Sequence, residues 1–487
     1  MYLKNPYIQG TNYSAGVNRH PTRLATRHET ICSPFSADMA DGAPNPQAMP
    51  LPRASSEELI SLANDASTCS ISRTGSVDSW WRKSGGNVNR PRSASRRTMR
   101  RLVSEEELQS LASAASTIRR SRCGSSVSRS DSSWRVREWP AVDDEVVASG
   151  KQQLRTFDLD ATALPTDVLC HLALEMFASA GRPAGLTDDR VRRFILAVRA
   201  SMLDNSYHNF YHVFDVMQTT NALATATGTM ARLDAWERFA LLSAALCHDL
   251  EHPGVTSQFL SKTGKKGDAT RIKYRGIVFR DALLEKHHAL RALELMCDIG
   301  ILDGLSSSQY YQFRSSVSQV ILATDLTRHG EYLEHLKEFA ARRTENPAAE
   351  MHKQLAMELM VKCADISNVV KPTAVARRWA LRVTEEFFLQ GDAERTMGMD
   401  ISPACDRLAT SRVALQTGFI DYFAGPLFTA LAAAFPREGL NILLAQLRHN
   451  RALYALCSDL DLEGAREPAA ASRVAPHRGC SITRTHN

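Results

Sequence analysis

Apolar residues recur at helical spacing through the larger, second part of this chain. From residue 158 to residue 460, leucine, valine, alanine and phenylalanine return every third or fourth position, as in residues 191–203, 236–250 and 288–302. Proline is scarce there, and the alternation typical of strands is missing. The pattern predicts one all-α domain over residues 158–460, larger than a simple helix bundle.

The first 150 residues have a different composition. They are rich in Ser, Arg, Pro and Gly and poor in branched apolar residues, so they cannot bury enough surface to offset the entropy of ordering. We therefore expect residues 1–150 to be a mostly disordered regulatory region. The tail, residues 461–487, has no apolar period and is expected to be disordered as well.

Two similar segments lie within the N-terminal region. Residues 55–76 and 104–125 share the elements EEL, SL, AST and RxGS in the same order. Each copy predicts one short amphipathic helix that begins at a capping serine. Docking of a partner and a transient helix in a disordered arm are both compatible with this repeat.

Charge adds a regulatory hypothesis. Lys and Arg number 59 against 53 Asp and Glu, a net charge of +6, and much of the excess lies in residues 82–101 beside two tryptophans. This basic arm is compatible with peripheral contact to an anionic membrane, with a solvated tail as the simpler alternative. No folded nucleic-acid module accompanies it, so no specific nucleic-acid binding is expected.

Four serines follow an arginine by three residues, a pattern that basophilic kinases accept: Ser76, Ser93, Ser104 and Ser125.

Cysteine usage and hydropathy indicate the compartment. The ten cysteines form no CxxC pair, which favours a reduced compartment. No apolar run is long enough for a transmembrane segment, and the N-terminus has no apolar signal core. We expect a cytoplasmic protein, with membrane contact only through the basic arm.

Histidines and aspartates interrupt the apolar helices at three places. His208 and His212 are four apart in a stretch predicted to be helical, which would place both rings on one helix face. His248 and Asp249 come together at the end of a second apolar run, and Asp365 ends a third. A buried carboxylate is costly unless it is paired or bound to metal. If one histidine of the first pair binds metal while the other faces substrate, two His and two Asp remain, and this set predicts a site for Zn, Mn, Fe or Mg.

Seven segments carry a resemblance to a known family. In order they are YHNFYHVFDV, ALCHDLEHPGVTSQF, ILATD, KCADISNVVKP, EFFLQGD, GMDISPACD and QTGFIDYFAGPLF. Over residues 160–455 they resemble the catalytic domain of the class I cyclic nucleotide phosphodiesterases, which are HD-type metal-dependent phosphohydrolases. The resemblance implies a compact multi-helix domain that hydrolyses a 3′,5′-cyclic nucleotide to the 5′-monophosphate. It favours cAMP as the substrate and leaves cGMP, or both, open.

The resemblance also implies roles for single residues. His208 matches the general acid. The residues that match metal ligands are His212, His248, Asp249 and Asp365. Those that match residues bracing the ligands or binding metal-held water are His252, Glu285 and Thr324. Those that match the nucleotide pocket are Tyr207, Asn368, Val383, Phe387, Gln416 and Phe419. Two divalent ions are implied, Zn at the first site and Mg or Mn at a second that Asp249 shares.

One loop departs from the family pattern, and two other functions stay open. In residues 262–286, Arg275 and Gly276 follow Tyr274, and Lys286 replaces an asparagine, so we expect this loop to affect substrate preference. An HD-type phosphohydrolase of another nucleotide would keep the metal ligands without needing a glutamine and phenylalanine in the base pocket. A catalytically silent metal-bearing scaffold would have lost a ligand or the acid. A homodimer is also left open.

Overall fold

The computed structural model describes residues 138–263 and 282–464, and every regular element within them is helical. The predicted all-α fold is therefore confirmed. The α-helices are α1 Asp144–Gln153, α2 Thr166–Ser179, α3 Asp188–Ser201, α4 Phe210–Ala226, α5 Thr229–Arg232, α6 Ala235–Cys247, α7 Ser257–Thr263, α8 Leu283–Ile299, α9 Ser307–Leu322, α10 His329–Glu345, α11 Lys353–Asp365, α12 Thr373–Thr396, α13 Arg412–Phe419, α14 Gly425–Ala434, α15 Glu438–Leu456 and α16 Asp459–Gly464. Shorter turns of 3₁₀ helix lie at Ala161–Ala163, Leu326–Arg328 and Ser367–Val370, and a π-helical turn lies at Ile420–Ala424.

Capping side chains explain where many of these helices begin. The residues whose side chains accept a backbone N–H in the first turn include Asp143, Thr187, Asn209 and Ser411. At the start of α6 the cap is reciprocal, because Asp234 accepts the N–H of Glu237 and Glu237 accepts the N–H of Asp234. Such bonds satisfy backbone donors that have no partner inside the helix.

Helix α4 lies at the centre of the domain. It packs against α2, α6 and α11, and nearly all of its residues are buried. Two of its polar residues have buried partners: the Gln218 amide donates to the carbonyl oxygens of Leu154 and Thr156, at 3.2 and 2.8 Å, and Asp215 pairs with the buried ammonium of Lys371 at 2.9 Å. The packing of α4, α6 and α11 is what brings the polar residues at their ends together.

The predicted end of the first disordered region and the predicted start of the second are both wrong. Helix α1 begins within the region 1–150, packs against α2 and buries Val147, so disorder is wrong for residues 138–150. Helix α16 extends into the region 461–487 and buries Leu462. Each of these helices buries only one or two residues, too few for a periodic signal in the sequence.

Residues 1–137, 264–281 and 465–487 lie outside the described residues. The predictions that fall on them remain predictions: disorder in the N-terminal arm, its two repeats, its four serines and basic stretch, and the effect of most of the 262–286 loop. Among the described helices, none has both the length and the hydropathy needed to cross a membrane.

Candidate active site

The four side chains predicted to bind metal converge where α4, α6 and α11 meet. His212 lies in the first turn of α4, His248 and Asp249 follow the last residue of α6, and Asp365 ends α11. Nε2 of His248 is 3.0 Å from Oδ2 of Asp249 and 3.2 Å from Oδ1 of Asp365. Nε2 of His212 is 3.2 and 3.3 Å from the same two oxygens. One ligand atom from each residue lies within 4.8 Å of the other three.

The hydrogen bonds of the two imidazoles fit a metal ion at this point. Nδ1 of His248 donates to the carbonyl oxygen of Ala245 at 2.9 Å, so in the neutral ring Nε2 presents its lone pair to the carboxylates. Nε2 of His212 is buried and has no hydrogen-bond partner. Burial lowers the pKa of His248, but the charges of Asp249 and Asp365 outweigh it and raise that pKa well above its usual value. A divalent cation would replace this proton and satisfy all four groups.

The second oxygen of Asp249 faces another group of atoms that could bind metal. It lies 3.7 Å from Nε2 of His288, whose Nδ1 donates to the carbonyl oxygen of Leu250 at 2.7 Å. This Nε2 is also buried without a hydrogen-bond partner. Asp249, His252 and His288 together offer three ligand atoms within 4.8 Å of one another. Each carboxylate oxygen of Asp249 thus faces its own group of candidate ligand atoms, which fits the predicted place of Asp249 between two metal ions. Sequence reasoning did not assign His288 to the site.

His252 has the opposite hydrogen-bond arrangement. Its Nδ1 accepts the backbone N–H of Gly254 at 3.1 Å, so in the neutral ring Nε2 carries the hydrogen. Burial, together with the nearby charge of His208, lowers the pKa of His252 well below its usual value and keeps the ring neutral. A neutral ring that offers an N–H fits the predicted role of binding water rather than metal.

His208 lies before α4 and not on it. The prediction that His208 and His212 share a helix face is wrong, because the side chain of Asn209 accepts the backbone N–H groups of Tyr211 and His212 and starts the helix there. The turn before this cap nevertheless leaves the two rings close, with centroids 5.6 Å apart.

Glu386 of α12 holds His208 in place. One of its carboxylate oxygens accepts the backbone N–H groups of Tyr207 and His208, at 2.8 and 3.0 Å, and the other accepts a hydrogen bond from Nδ1 of His208. Burial lowers the pKa of His208, but the charges of Glu386 and Asp249 raise it to about 9. His208 therefore carries a proton at neutral pH, and its Nε2 lies 3.9 Å from Oδ2 of Asp249. Sequence reasoning missed Glu386, although it is the first residue of the segment EFFLQGD.

Asn205 joins the loops that carry His208 and His252. Its Nδ2 donates to the carbonyl oxygens of His208 and His252, at 2.9 and 2.7 Å. The two imidazole rings stack with centroids 3.8 Å apart. Gly254 has φ +72°, and a Cβ at this residue would lie 2.7 Å from Oδ1 of Asn205, so the turn requires glycine. Asn205 was also missed, because a single asparagine in a loop carries no periodic signal.

A cavity adjoins the residues predicted to bind metal. The predicted site residues that line it are His208, Asp249, His252, Glu285, Thr324, Asp365 and Phe387. Burial and the charge of Asp325 raise the pKa of Glu285 to about 8, and its Oε2 is buried without a partner. The buried ammonium of Lys362 donates to the carbonyl oxygens of Ala323 and Asp325, both at 2.9 Å, and so fixes the backbone on either side of Thr324.

The remaining predicted nucleotide-binding residues do not line this cavity. They are Tyr207, Asn368, Val383, Gln416 and Phe419. The ring of Tyr207 contacts those of His212 and Trp379, with centroids 4.5 and 5.5 Å away, and Val383 packs in the same apolar cluster. Asn368 is buried in the 3₁₀ turn that follows Asp365.

Gln416 and Phe419 lie together on α13. Phe419 stacks on Phe423 with ring centroids 5.6 Å apart. Gln416 is buried, and its amide oxygen has no hydrogen-bond partner. An unpaired buried acceptor is costly and fits a place where a ligand donates a hydrogen bond.

Comparison with known proteins identifies the class of this domain. Residues 207–447 match the family model described as 3′5′-cyclic nucleotide phosphodiesterase. The structure of LmjPDEB1 in complex with IBMX is similar, with a TM-score of 0.53 and 27% sequence identity, over 73% of this chain and 98% of that one.

Curated relatives agree with this class. The chain is 32% identical over 319 residues to the 3′,5′-cyclic-nucleotide phosphodiesterase regA of Dictyostelium discoideum. This alignment covers 64% of this chain and 39% of regA. The chain is 31% identical over 250 residues to the high affinity cGMP-specific 3′,5′-cyclic phosphodiesterase 9A of Mus musculus, covering 50% and 45%. It is 33% identical over 278 residues to the 3′,5′-cyclic-AMP phosphodiesterase 4C of Rattus norvegicus, covering 55% and 50%.

The domain therefore belongs to the 3′,5′-cyclic nucleotide phosphodiesterase family, a family of hydrolases, and the resemblance seen in the sequence is confirmed. The chain spans half or less of the length of these three curated relatives.

Proposed function

We propose that this chain hydrolyses the 3′ phosphoester bond of a 3′,5′-cyclic nucleotide and releases the 5′-monophosphate, ending a cyclic nucleotide signal. The observation that carries the proposal is the meeting of four side chains that can hold a metal ion beside His208, whose ring Glu386 fixes, in a domain of the phosphodiesterase family. The favoured substrate is cAMP, with cGMP, or both, as the alternative.

Two divalent ions would be held by the chain's own donor groups. His212, His248, Asp249 and Asp365 would bind the first, which we propose to be Zn, and Asp249 would face the second, Mg or Mn. When bound, such ions would lower the pKa of a bound water towards ~7 and neutralise charge on the phosphoryl oxygens. His252, Glu285 and Thr324 line the same cavity and would bind water or brace the ligands there.

His208 would protonate the leaving oxygen. An alkoxide is a poor leaving group, and a positioned acid accelerates its departure by about 10²–10⁴-fold. The hydrogen bond from Nδ1 to Glu386 fixes the ring, so Nε2 is the atom that donates the proton. The raised pKa keeps His208 charged before the reaction begins.

Gln416 and Phe419 would bind the base, the first by hydrogen bonds to its edge and the second by stacking on its face. An amide offers a donor and an acceptor, so it can pair with adenine or guanine. Within the described residues, no hydrogen bond fixes the Gln416 amide in one orientation. A preference for cAMP is supported by the names of two relatives, the phosphodiesterase 4C and a Drosophila melanogaster 3′,5′-cyclic-AMP phosphodiesterase, whereas the 9A relative is named as cGMP-specific.

The test is hydrolysis of cAMP and cGMP side by side by the purified full chain, with Mg or Mn added and metal content measured. We expect conversion to the 5′-monophosphate, with the higher kcat/KM for cAMP. A higher kcat/KM for cGMP would reverse the assignment of substrate. Bound metal without turnover of either nucleotide would contradict the proposal and favour another phosphohydrolase activity or a silent scaffold.

A further inference from the structure

Three polar side chains form a row on one buried face of α12. Glu386, Gln390 and Glu394 follow one another at four-residue spacing, which places them on the same side of the helix. Their exposed fractions are 5%, 2% and 0%. We call this row the polar ladder. Burying two carboxylates and an amide is costly unless each is hydrogen-bonded, so the partners of each residue show what the ladder holds.

Each residue of the ladder binds a different segment. Glu386 binds the turn at His208, as described above. Oε1 of Gln390 accepts the backbone N–H of Thr256 at 2.8 Å, and its Nε2 donates to Oε1 of Glu394 at 3.0 Å. Glu394 accepts the backbone N–H and the hydroxyl of Ser402, both at 2.6 Å. The ladder therefore links the segment at Ser402 to the cavity, which Gln390 and Thr256 both line.

The segment 402–405 lies directly on α12. A Cβ at Gly391 would overlap the carbonyl oxygen of Cys405, so this close approach is open only to glycine. Ala404 has φ +65°, a conformation that is unfavourable for alanine and has to be held by its surroundings. Its side chain packs with Leu415 and with Phe387, which lines the cavity. This segment therefore packs directly against a side chain that forms one wall of the cavity.

We propose that Gln390 and Glu394 are positioning residues for substrate binding. They hold Thr256 and the segment 402–405 against the wall formed by Phe387. Glu394 does not line the cavity and acts through Ser402 and Gln390. The inference rests on the proposed function, and it places the effect of Gln390 and Glu394 on KM rather than on metal binding.

The first variant is Glu394→Gln in the full chain. It replaces an acceptor with an NH₂ donor, which then meets the donors of Gln390 or Ser402. We expect the KM for cAMP to rise about 10-fold, the effect of losing a buried hydrogen bond, with kcat within about 3-fold and metal content unchanged. Ser402→Ala removes only the hydroxyl bond and should raise KM by less, about 3-fold. It provides the test if Glu394→Gln does not fold.

A second substitution should rescue the first. Adding Gln390→Glu to Glu394→Gln exchanges the two groups and keeps charge and volume. The carboxylate at position 390 then accepts from Thr256 and from the new amide, whose oxygen faces Ser402. We expect KM to return to within about 3-fold of the wild-type value, because donors again meet acceptors.

The chain offers a matched control at Glu358. It is also 0% exposed and also lies four residues after a glutamine, Gln354, whose Nε2 donates to it at 3.0 Å. Its other oxygen accepts the hydroxyl of Tyr332 at 2.8 Å, and it does not line the cavity. Glu358→Gln should lower Tm by an amount similar to Glu394→Gln and leave KM unchanged.

Any one of three results would overturn the proposed positioning role of Gln390 and Glu394. These are an unchanged KM in Glu394→Gln, no rescue by the double substitution, and an equal rise of KM in Glu358→Gln. Wild-type protein that hydrolyses neither cAMP nor cGMP would instead refute the proposed function. In that case, hydrogen exchange of peptides from residues 398–411 decides. Faster exchange there in Glu394→Gln, reversed by the double substitution, supports the proposal that the ladder holds the segment 402–405. Unchanged exchange overturns that proposal.

Discussion

The proposed metal end and the proposed base end of this site are built in different ways. At the metal end, His212, His248 and Asp365 project from helix ends that the core packs together, and the backbone fixes the tautomer of His248. At the base end, Gln416 has an unpaired amide oxygen, and the ring of Phe419 stacks on that of Phe423. Both ends hold buried polar atoms without a hydrogen-bond partner, but those of the metal end belong to a cluster of side chains that folding gathers, whereas the base end offers the single amide oxygen of Gln416. Changes at the metal end should remove chemistry, and changes at the base end should weaken binding.

The largest effect should come from Asp365→Ala. The variant removes one of two carboxylates that face both histidines, so metal binding at this point should be lost. We expect kcat to fall by at least about 10⁴-fold, since bound metal supplies several kcal/mol of charge stabilisation. Metal analysis by mass spectrometry and turnover of cAMP check this result. Full metal content with normal turnover would show that Asp365 is not a ligand.

His208→Ala should separate chemistry from metal binding. The variant keeps all four ligands, so its metal content should match that of the wild type. Its kcat should fall by about 10²–10⁴-fold, the range for loss of a general acid. A variant that loses metal in parallel with activity would instead make His208 part of the metal site. Asp365→Ala, assayed beside it, shows what loss of metal looks like.

Gln416→Ala should act at the base end alone. It removes the group proposed to bind the base edge, and KM should rise by about 10–100-fold, the cost of an unpaired buried partner. Metal content and kcat should stay close to those of the wild type. If kcat fell instead of KM rising, the contrast between the two ends would fail.

Glu386→Gln should change the pH dependence. The pKa of His208 is raised to about 9 from an ordinary value of 6.5, so the acid is protonated at lower pH and activity should be lost as pH rises through about 9. The stability that this pairing contributes is likewise present below pH 6.5 and lost as pH rises through 9. Without the Glu386 charge, the alkaline fall in kcat should move to lower pH, with about a 10-fold loss at the wild-type midpoint. An unshifted profile would contradict this pairing.

The difference between the ends also shows what the sequence could predict. Long apolar periods identified the helices, and paired His and Asp residues at the ends of apolar runs pointed to side chains that the structure brings together. Glu386 was missed because it is 178 residues from His208, and no local pattern records such a pairing. The start of α4 was misplaced because periodicity does not show which residue caps a helix, and Asn209 does so here. Helix α1 buries too few residues to give a signal.

The smallest effect should come from Val383→Ala. Resemblance places Val383 in the nucleotide pocket, but the structure packs it with Tyr207 and Trp379, away from the lining of the cavity. Loss of two partly buried methyl groups should cost about 1 kcal/mol of unfolding free energy. If Val383 only supports Tyr207, KM should change by about 2-fold or less, because no contact to the ligand is lost. Thermal denaturation and KM for cAMP measure the two quantities, with Gln416→Ala as the reference for a direct contact. A rise of KM as large as that of Gln416→Ala would place Val383 in contact with the nucleotide and extend the base end to this face of α12.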